Sequence, residues 1–249
     1  MSSQRLDAEE QSAGRTLVAE DIVTGYGNQE IIREVSVRSH DGVTCIFGPN
    51  GSGKSTLMKS MTGIIPIWSG QLTFGGTDIT GYGPNDAVED GIIMLSQDGG
   101  LFESLTVREN LLLGGYTVDD KSKVRDRVEE VLDVFPALEE HYDQKAGVLS
   151  GGQQMMLSFG RAMIPDIDVY LLDEPSAGLA PSLIDDVLEQ IELLVEEDAQ
   201  VVLIEQNIHT ALRIADHVYI LAQGQLQFDG KPAELEDEDE LIELYLGIE

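Results

Sequence analysis

Short runs of consecutive apolar residues alternate with amphipathic segments along most of this chain. The runs are Val43 to Phe47, Ile92 to Leu95, Val169 to Leu172 and Val201 to Ile204. Uninterrupted apolar strands that alternate with helical segments are typical of a parallel sheet covered on both faces. The pattern therefore predicts an α/β fold over most of the chain.

One segment, from Pro181 to Val195, shows a clear helical period. Its apolar residues recur on one face at Leu183, Val187, Ile191 and Leu194, whereas acids at Asp185, Asp186, Glu189 and Glu192 point away. We expect an amphipathic helix whose outer face carries acids and no lysine.

The ends and the middle of the chain differ from this pattern. Residues 1–15 are small and polar and predict a disordered tail. From Thr16, Val and Ile recur at near-alternate positions, as in antiparallel strands with one covered face. Residues 84–160 contain a long helical pattern, KSKVRDRVEEVLDVF, and predict a mostly helical insert. We expect one domain over residues 16–249.

The charge is strongly negative. The chain has 249 residues with 46 Asp and Glu against 15 Lys and Arg, a net charge of −31, and 42% of its residues are hydrophobic. Residues 1–15 carry −1 and residues 229–249 carry −8, which leaves −22 for the body. Enough apolar residues are present to build a core, and the negative field disfavours nucleic acid as a partner.

Cysteine content and hydropathy limit the class of protein further. The one cysteine, Cys45, excludes an internal disulfide and lies in an apolar run, where it predicts a small core residue. No apolar run approaches the roughly 20 residues that span a bilayer, and the N-terminus carries no hydrophobic signal region. We expect a soluble, cytoplasmic chain.

The strongest motif directly follows the first apolar run. The segment GPNGSGKST contains Gly48, Asn50, Gly51, Ser52, Gly53, Lys54, Ser55 and Thr56. This is the spacing of a P-loop, whose backbone N–H groups and following helix face phosphate oxygens. Lys54 would reach the β- and γ-phosphates of a nucleotide, and the Ser55 hydroxyl would bind Mg²⁺.

A pair of acids ends another apolar run, in the segment YLLDEP. The carboxyl ends of parallel strands meet at one edge of a sheet, so this pair is expected beside the P-loop. Asp173 would hold Mg²⁺ through water, and Glu174 would orient or deprotonate the attacking water.

A second phosphate-sized cup is predicted at Ser150, Gly151, Gly152 and Gln153, which precede a helical run. It would offer free N–H groups, a hydroxyl and a helix N-terminus. One nucleotide's phosphates already fill the P-loop. Two chains arranged head to tail, each cup closing the other chain's nucleotide, would use both sites.

GPNGSGKST, LSGGQ and YLLDEP, in this order, resemble the ATP-binding subunit of ABC transporters, and the resemblance covers residues 16–249. It implies ATP and Mg²⁺ as cofactors and a P-loop NTPase fold. That fold has a RecA-like parallel sheet core, an N-terminal antiparallel β subdomain and a helical insert subdomain. It also implies that Tyr26 stacks on adenine and that Gln97 contacts Mg²⁺ and links the core to the membrane partner.

One position departs from the family pattern. Most ABC ATPases have a histidine after the last core strand that contacts the γ-phosphate, whereas Gln206 stands there in the segment VVLIEQN. An amide can donate a hydrogen bond but is not protonated near neutral pH. His209, three residues later, predicts a surface histidine.

EQN at this position, GLAP at 178–181, VFPAL at 134–138 and LYLG at 244–247 resemble one of the two ATPase subunits of branched-chain amino-acid importers. Relatives of that group import urea or short amides. The resemblance implies a second ATPase subunit in a heterodimer, two transmembrane permease subunits, an extracellular solute-binding protein that acts indirectly, and a place on the cytoplasmic face of the membrane. The residues alone also allow a homodimer.

Two other functional classes fit the sequence less well. A soluble ABC ATPase acting on DNA or ribosomes generally needs a long coiled coil or two cassettes, and acidity disfavours polyanions. A kinase or GTPase would leave the LSGGQ segment unexplained. In a dimer, two strongly acidic chains would enclose one tetra-anionic ATP, and their repulsion would be screened only at high salt. Since the chain also has only six lysines, we expect a halophilic protein.

Overall fold

The computed structural model describes residues 15–96, 99–179, 181–196 and 198–235, with the backbone alone described at positions 181 and 182. Of the predicted tail, only Arg15 lies within the described residues. The LYLG segment at 244–247 lies outside them. The division into a tail, one domain and an insert at residues 84–160 stays a prediction.

An antiparallel sheet begins the described chain. Its strands are β1 (Leu17–Tyr26), β2 (Gln29–Arg38), β4 (Ser69–Phe74) and β5 (Thr77–Asp78), in the order β2-β1-β4-β5. Residues alternate between buried and exposed along much of β1 and β2, so one face packs on the core, as the alternating apolar positions predict.

A second sheet forms the centre of the fold. Its strands are β3 (Val43–Phe47), β6 (Ile92–Leu95), β7 (Val169–Asp173), β8 (Gln200–Ile204), β9 (His217–Ala222) and β10 (Gln225–Gly230). The order is β10-β9-β3-β8-β7-β6, and all neighbours are parallel except β9 and β10. The four predicted apolar runs are all strands of this sheet.

The central sheet separates two hydrophobic cores. In β8, Val201 and Leu203 face the core on the side of the helical region, whereas Val202 and Ile204 face the core shared with the antiparallel sheet. Successive side chains of a strand point to opposite faces, so a strand covered on both sides must be apolar throughout. This is why the parallel strands appear in the sequence as unbroken apolar runs.

Helices connect these strands and cover the sheet. They are α1 (Lys54–Met61), α2 (Pro84–Glu89), α3 (Val107–Gly114), α4 (Lys121–Val134), α5 (Pro136–Glu139), α6 (Gly151–Ala162), α7 (Pro181–Glu196), α8 (Ile208–Ala211) and α9 (Pro232–Leu235), with a short 3₁₀ helix at Ala146–Val148.

The predicted amphipathic helix is α7. Val187, Ile191 and Leu194 are fully buried, whereas Asp185, Glu189 and Glu192 are exposed. The outer face is therefore acidic, as the spacing predicts. Within the described residues, none of the helices has the length and apolar character needed to cross a membrane.

Candidate functional site

The P-loop joins β3 to α1 at the carboxyl edge of the central sheet. Its glycines take backbone angles that other residues rarely adopt: φ is 144° at Gly48 and 107° at Gly53. A Cβ atom at Gly48 would lie 2.0 Å from the carbonyl oxygen of Leu221. Only glycine therefore fits at Gly48, where the loop must pass β9 before it turns into α1.

Lys54, the first residue of α1, points back over its own loop. Its Nζ donates hydrogen bonds to the carbonyl oxygens of Gly48 at 2.8 Å and Pro49 at 3.3 Å. Burial lowers the pKa of Lys54, and the nearby carboxylates of Glu174 and Asp173 oppose that shift. Because an ammonium group has three N–H donors, one is left over from the two loop contacts for an anionic ligand.

A cavity of about 250 Å³ opens beside this lysine. It is lined by Ile31, Asn50, Gly51, Gly53, Lys54, Ser55, Thr56 and Glu174. Ser52 is 2% exposed, and its Oγ has no hydrogen-bond partner among the described residues. A buried hydroxyl usually has a partner, so an unpaired one in a loop of N–H donors fits a site that binds a polar ligand such as phosphate.

The first acid of the predicted pair lies against the P-loop. The Ser55 hydroxyl donates a hydrogen bond of 3.0 Å to Oδ1 of Asp173, which is buried at the end of β7. One hydroxyl and one carboxylate side by side are the oxygen ligands that Mg²⁺ takes when substrate phosphates and waters supply the rest. The two residues thus fit the magnesium site predicted for them.

Glu174 follows at a strained turn. Its φ is 52°, in the left-handed region that favours glycine, and its N–H donates to the carbonyl oxygen of Ile204 at 2.9 Å. Non-glycine residues held in this region cost of order 1 kcal/mol or more and cluster at functional sites. The turn brings the carboxylate of Glu174 into the lining of the same cavity as Lys54.

Gln206 reaches the acidic pair from the neighbouring strand. Its Nε2 donates a hydrogen bond of 2.8 Å to Oε2 of Glu174. This contact follows from the strand order, since β8 lies between β3 and β7 and its carboxyl end meets both the P-loop and the acids. The structure therefore brings together Lys54, Ser55, Asp173, Glu174 and Gln206.

The Ser-Gly-Gly segment lies apart from this cavity. Ser150 caps α6: its Oγ accepts from the N–H of Gln153 at 3.3 Å, and Oε1 of Gln153 accepts from the N–H of Ser150 at 3.0 Å. Gly151 lines a different pocket of about 240 Å³ with Ala177 and Leu179. Gly152 is buried. Within one chain the two predicted phosphate cups are separate.

The remaining predicted residues have varied surroundings. Tyr26 ends β1, is 49% exposed and is not among the residues that line the 250 Å³ cavity. Gln97 lies outside the described residues. His209 is an exposed residue of α8, and Cys45 is fully buried, both as predicted. Burial raises the pKa of the Cys45 thiol, so the group is inert as a nucleophile.

Three residues at the site were not predicted from the sequence: Pro49, Ile31 and Glu205. Pro49 accepts a hydrogen bond from Lys54, and Ile31 forms one wall of the cavity. Glu205 is a buried acid at the end of β8. An acid directly after an unbroken apolar strand was a visible signal for it, because such a position falls at the carboxyl edge of the sheet.

Comparison with known proteins agrees with this geometry. Residues 33–177 match the family model described as ABC transporter. The chain is 39% identical to a probable branched-chain amino acid transport ATP-binding protein, LivF, of Archaeoglobus fulgidus, over 90% of this chain and 95% of that protein. It is 37% identical to the high-affinity branched-chain amino acid transport ATP-binding protein BraG of Pseudomonas aeruginosa, over 91% of this chain and 97% of that protein.

A relative of lower identity and a solved structure are also similar to this chain. The lipopolysaccharide export system ATP-binding protein LptB of Escherichia coli is 30% identical, over 93% of this chain and 97% of that protein. The crystal structure of an ATP-binding cassette of an ABC transporter in its ADP conformation superposes with a TM-score of 0.83 at 30% identity, covering 94% of this chain and 99% of that chain. The fold is that of a P-loop NTPase, and the chain belongs to the ATP-binding subunits of ABC transporters, which hydrolyse ATP to energise transport.

Proposed function

We propose that this chain energises an importer of branched-chain or other hydrophobic amino acids through separate membrane subunits. The proposal that ATP is hydrolysed at this site rests on the cavity that Lys54, Ser55 and Glu174 line together. The higher identity to proteins named for branched-chain amino acid transport than to one named for lipopolysaccharide export supports import. The chain would lie on the cytoplasmic face of the membrane as a peripheral subunit.

In this site the chain's own groups would bind and orient the triphosphate. Backbone N–H groups of the P-loop and the third N–H of Lys54 would bind phosphate oxygens. Ser55 and Asp173 would hold Mg²⁺, which neutralises phosphate charge when bound. Glu174 would accept a proton from the attacking water, and Gln206 would orient Glu174 through their 2.8 Å hydrogen bond.

The Ser-Gly-Gly cup would serve a second ATPase subunit. It lies apart from the cavity of its own chain, and it offers a capped helix N-terminus at the surface. A head-to-tail pair would place it over the partner's nucleotide. We propose a heterodimer, with a homodimer as the alternative, and Tyr26 and Gln97 as further nucleotide contacts.

The variant Glu174→Gln tests the site. We expect it to bind ATP with parent affinity, lose hydrolysis and accumulate as a closed dimer, because the amide cannot take a proton from water. An equilibrium ATP-binding titration, a phosphate-release assay and size-exclusion chromatography with ATP measure these three effects. Glu130→Gln, a change of the same type at an exposed residue of α4, is the control. Hydrolysis at the parent rate by the Glu174 variant would show that Glu174 is not the base.

Transport itself requires the membrane subunits. We expect the purified chain, reconstituted with its permease subunits and a solute-binding protein in vesicles, to drive ATP-dependent uptake of labelled leucine. Uptake of urea or a short amide in place of leucine would reassign the solute. Stimulation of ATP hydrolysis by DNA or ribosomes, and none by the membrane subunits, would overturn the proposal of an importer.

A further inference from the structure

Glu205 is a buried carboxylate that lies between the P-loop and the acidic pair, Asp173 and Glu174. It follows β8, is 5% exposed, and lies at the edge where the P-loop and the acidic pair meet. Its Oε1 accepts a hydrogen bond of 2.9 Å from the N–H of Ser176, and its Oε2 accepts one of 3.2 Å from the N–H of Gln206. Burying a carboxylate is costly, so its two oxygens need such donors.

The first of these bonds fastens the turn that carries Glu174. Ser176 lies two residues after Glu174, and Pro175 between them has no N–H to donate. On the other side of the turn, the N–H of Glu174 donates to Ile204 at 2.9 Å. The end of β8 therefore holds the turn at two points, and a backbone at φ 52° persists only where its surroundings hold it there.

The second bond holds the residue that contacts Glu174. Oε2 of Glu205 accepts from the backbone of Gln206, whose side chain donates to Glu174 at 2.8 Å. One carboxylate thus joins the turn beneath Glu174 to the backbone of the residue whose side chain donates to Glu174. A carboxylate suits this place because each of its oxygens accepts a separate N–H.

We propose that Glu205 is a positioning residue for ATP hydrolysis, which holds Glu174 in the orientation that takes a proton from water. It does so through Ser176 on one side and Gln206 on the other, without contacting the nucleotide. The inference rests on the proposed role of Glu174.

The variant Glu205→Gln keeps the size of the side chain but removes its charge and changes its acceptor pattern. A glutamine amide has one oxygen and one NH₂, so one of the two backbone N–H groups loses its partner and faces another donor. We expect kcat to fall about tenfold while KM for ATP stays within about twofold of the parent, since the P-loop keeps its contacts. ATP titrations of the reconstituted transporter measure both.

Asp216→Asn is the control for replacing, by an amide, a carboxylate that accepts a backbone N–H outside the site. Glu205 is buried and Asp216 is exposed, but both carboxylates accept a hydrogen bond from a backbone N–H. Oδ2 of Asp216 accepts a hydrogen bond of 2.9 Å from the N–H of Val43, the first residue of β3, whereas the P-loop follows the last residue of β3. We expect this variant to keep the parent kcat. An equal fall in kcat in both variants would reduce Glu205 to a general structural role and overturn the proposal.

A double-mutant cycle separates positioning from stability. In a Gln206→Ala background, Glu205→Gln should lower kcat less than in the parent, because part of its effect passes through Gln206. Equal losses in the two backgrounds would overturn this route. If Glu205→Gln fails to fold, Glu205→Asp keeps the charge but shortens the reach, and hydrolysis at the parent rate by that variant would also overturn the proposal.

The outcome is separable from that of the proposed function. If Glu174→Gln abolishes hydrolysis and Glu205→Gln leaves kcat unchanged, the base assignment stands and the positioning role of Glu205 is wrong. If Glu174→Gln hydrolyses at the parent rate, the site assignment itself is wrong.

Discussion

The hydrogen bond from Gln206 to Glu174 gives a direct test of how Glu174 is oriented. Gln206→Ala removes the 2.8 Å contact without disturbing the backbone bonds of Glu205. A hydrogen bond to a charged group contributes about 1.5 to 3 kcal/mol, and the exposure of Gln206 favours the lower end. At about 1.4 kcal/mol per factor of ten, kcat should fall about tenfold.

The assay is phosphate release by the reconstituted transporter over a range of ATP concentrations. KM for ATP should stay near the parent value, because Lys54 and the P-loop are untouched. Gln71→Ala is the control: Gln71 is also exposed and also donates to a carboxylate, Oδ2 of Asp78 at 3.0 Å, but it lies in β4. A parent-like kcat for Gln206→Ala, or a similar fall for Gln71→Ala, would refute the reasoning.

Replacement by histidine, which the resemblance to ABC ATPases leads us to expect at this position, extends the test. Gln206→His should recover much of the rate lost in the alanine variant, since the ring can donate to Glu174. It should also introduce a fall in kcat as pH rises through about 6.5, because the imidazole loses its positive charge. An unchanged pH profile would mean that the charge of the side chain at this position does not affect hydrolysis.

Two further predictions concern stability. Burial, then His217 and Arg38, lowers the pKa of His40 from 6.5 to about 4, so the unfolded chain binds a proton there that the folded chain does not. The contribution of this half-buried group to the free energy of unfolding should fall by about 1 to 2 kcal/mol as pH drops from 6.5 to 4. In urea melts, the free energy of unfolding of His40→Gln should therefore fall less steeply than the parent's over that range, and the two should have the same slope above pH 7. In a KCl series, the melting temperature should rise with salt, because the Debye length shortens to about 3 Å at 1 M and screens a net charge of −31. Asp186→Lys with Glu189→Lys on α7 should weaken that rise, and a melting temperature that stays unchanged or falls with salt would contradict the expectation of a halophilic protein.

Local pattern was enough to predict four strands of the central sheet and the amphipathic helix α7. Unbroken apolar runs such as Val43 to Phe47 predict strands covered on both faces, and the structure agrees, because every residue of β3 is buried. The spacing of Leu183 to Leu194 indicates α7 with its acidic outer face. The P-loop was predictable because its glycines are required by backbone angles that can be inferred from the motif alone.

The strand order could not be deduced from these patterns. Every parallel strand of the central sheet is apolar in the same way, so the sequence does not say that β8 lies between β3 and β7. That order places Glu205 and Gln206 between the P-loop and the acidic pair. Their hydrogen bonds to Ser176 and Glu174 join residues about 30 positions apart along the chain.

The sequence by itself predicted the chemistry of this protein: a P-loop, and beside it two carboxylates for which we propose the roles of magnesium ligand and base, each recognisable from its residue type and its place after an apolar strand. Only the tertiary structure decided how the base is held. The strain at Glu174 and its support by the end of β8 arise from packing between strands, and packing depends on contacts that no local pattern specifies.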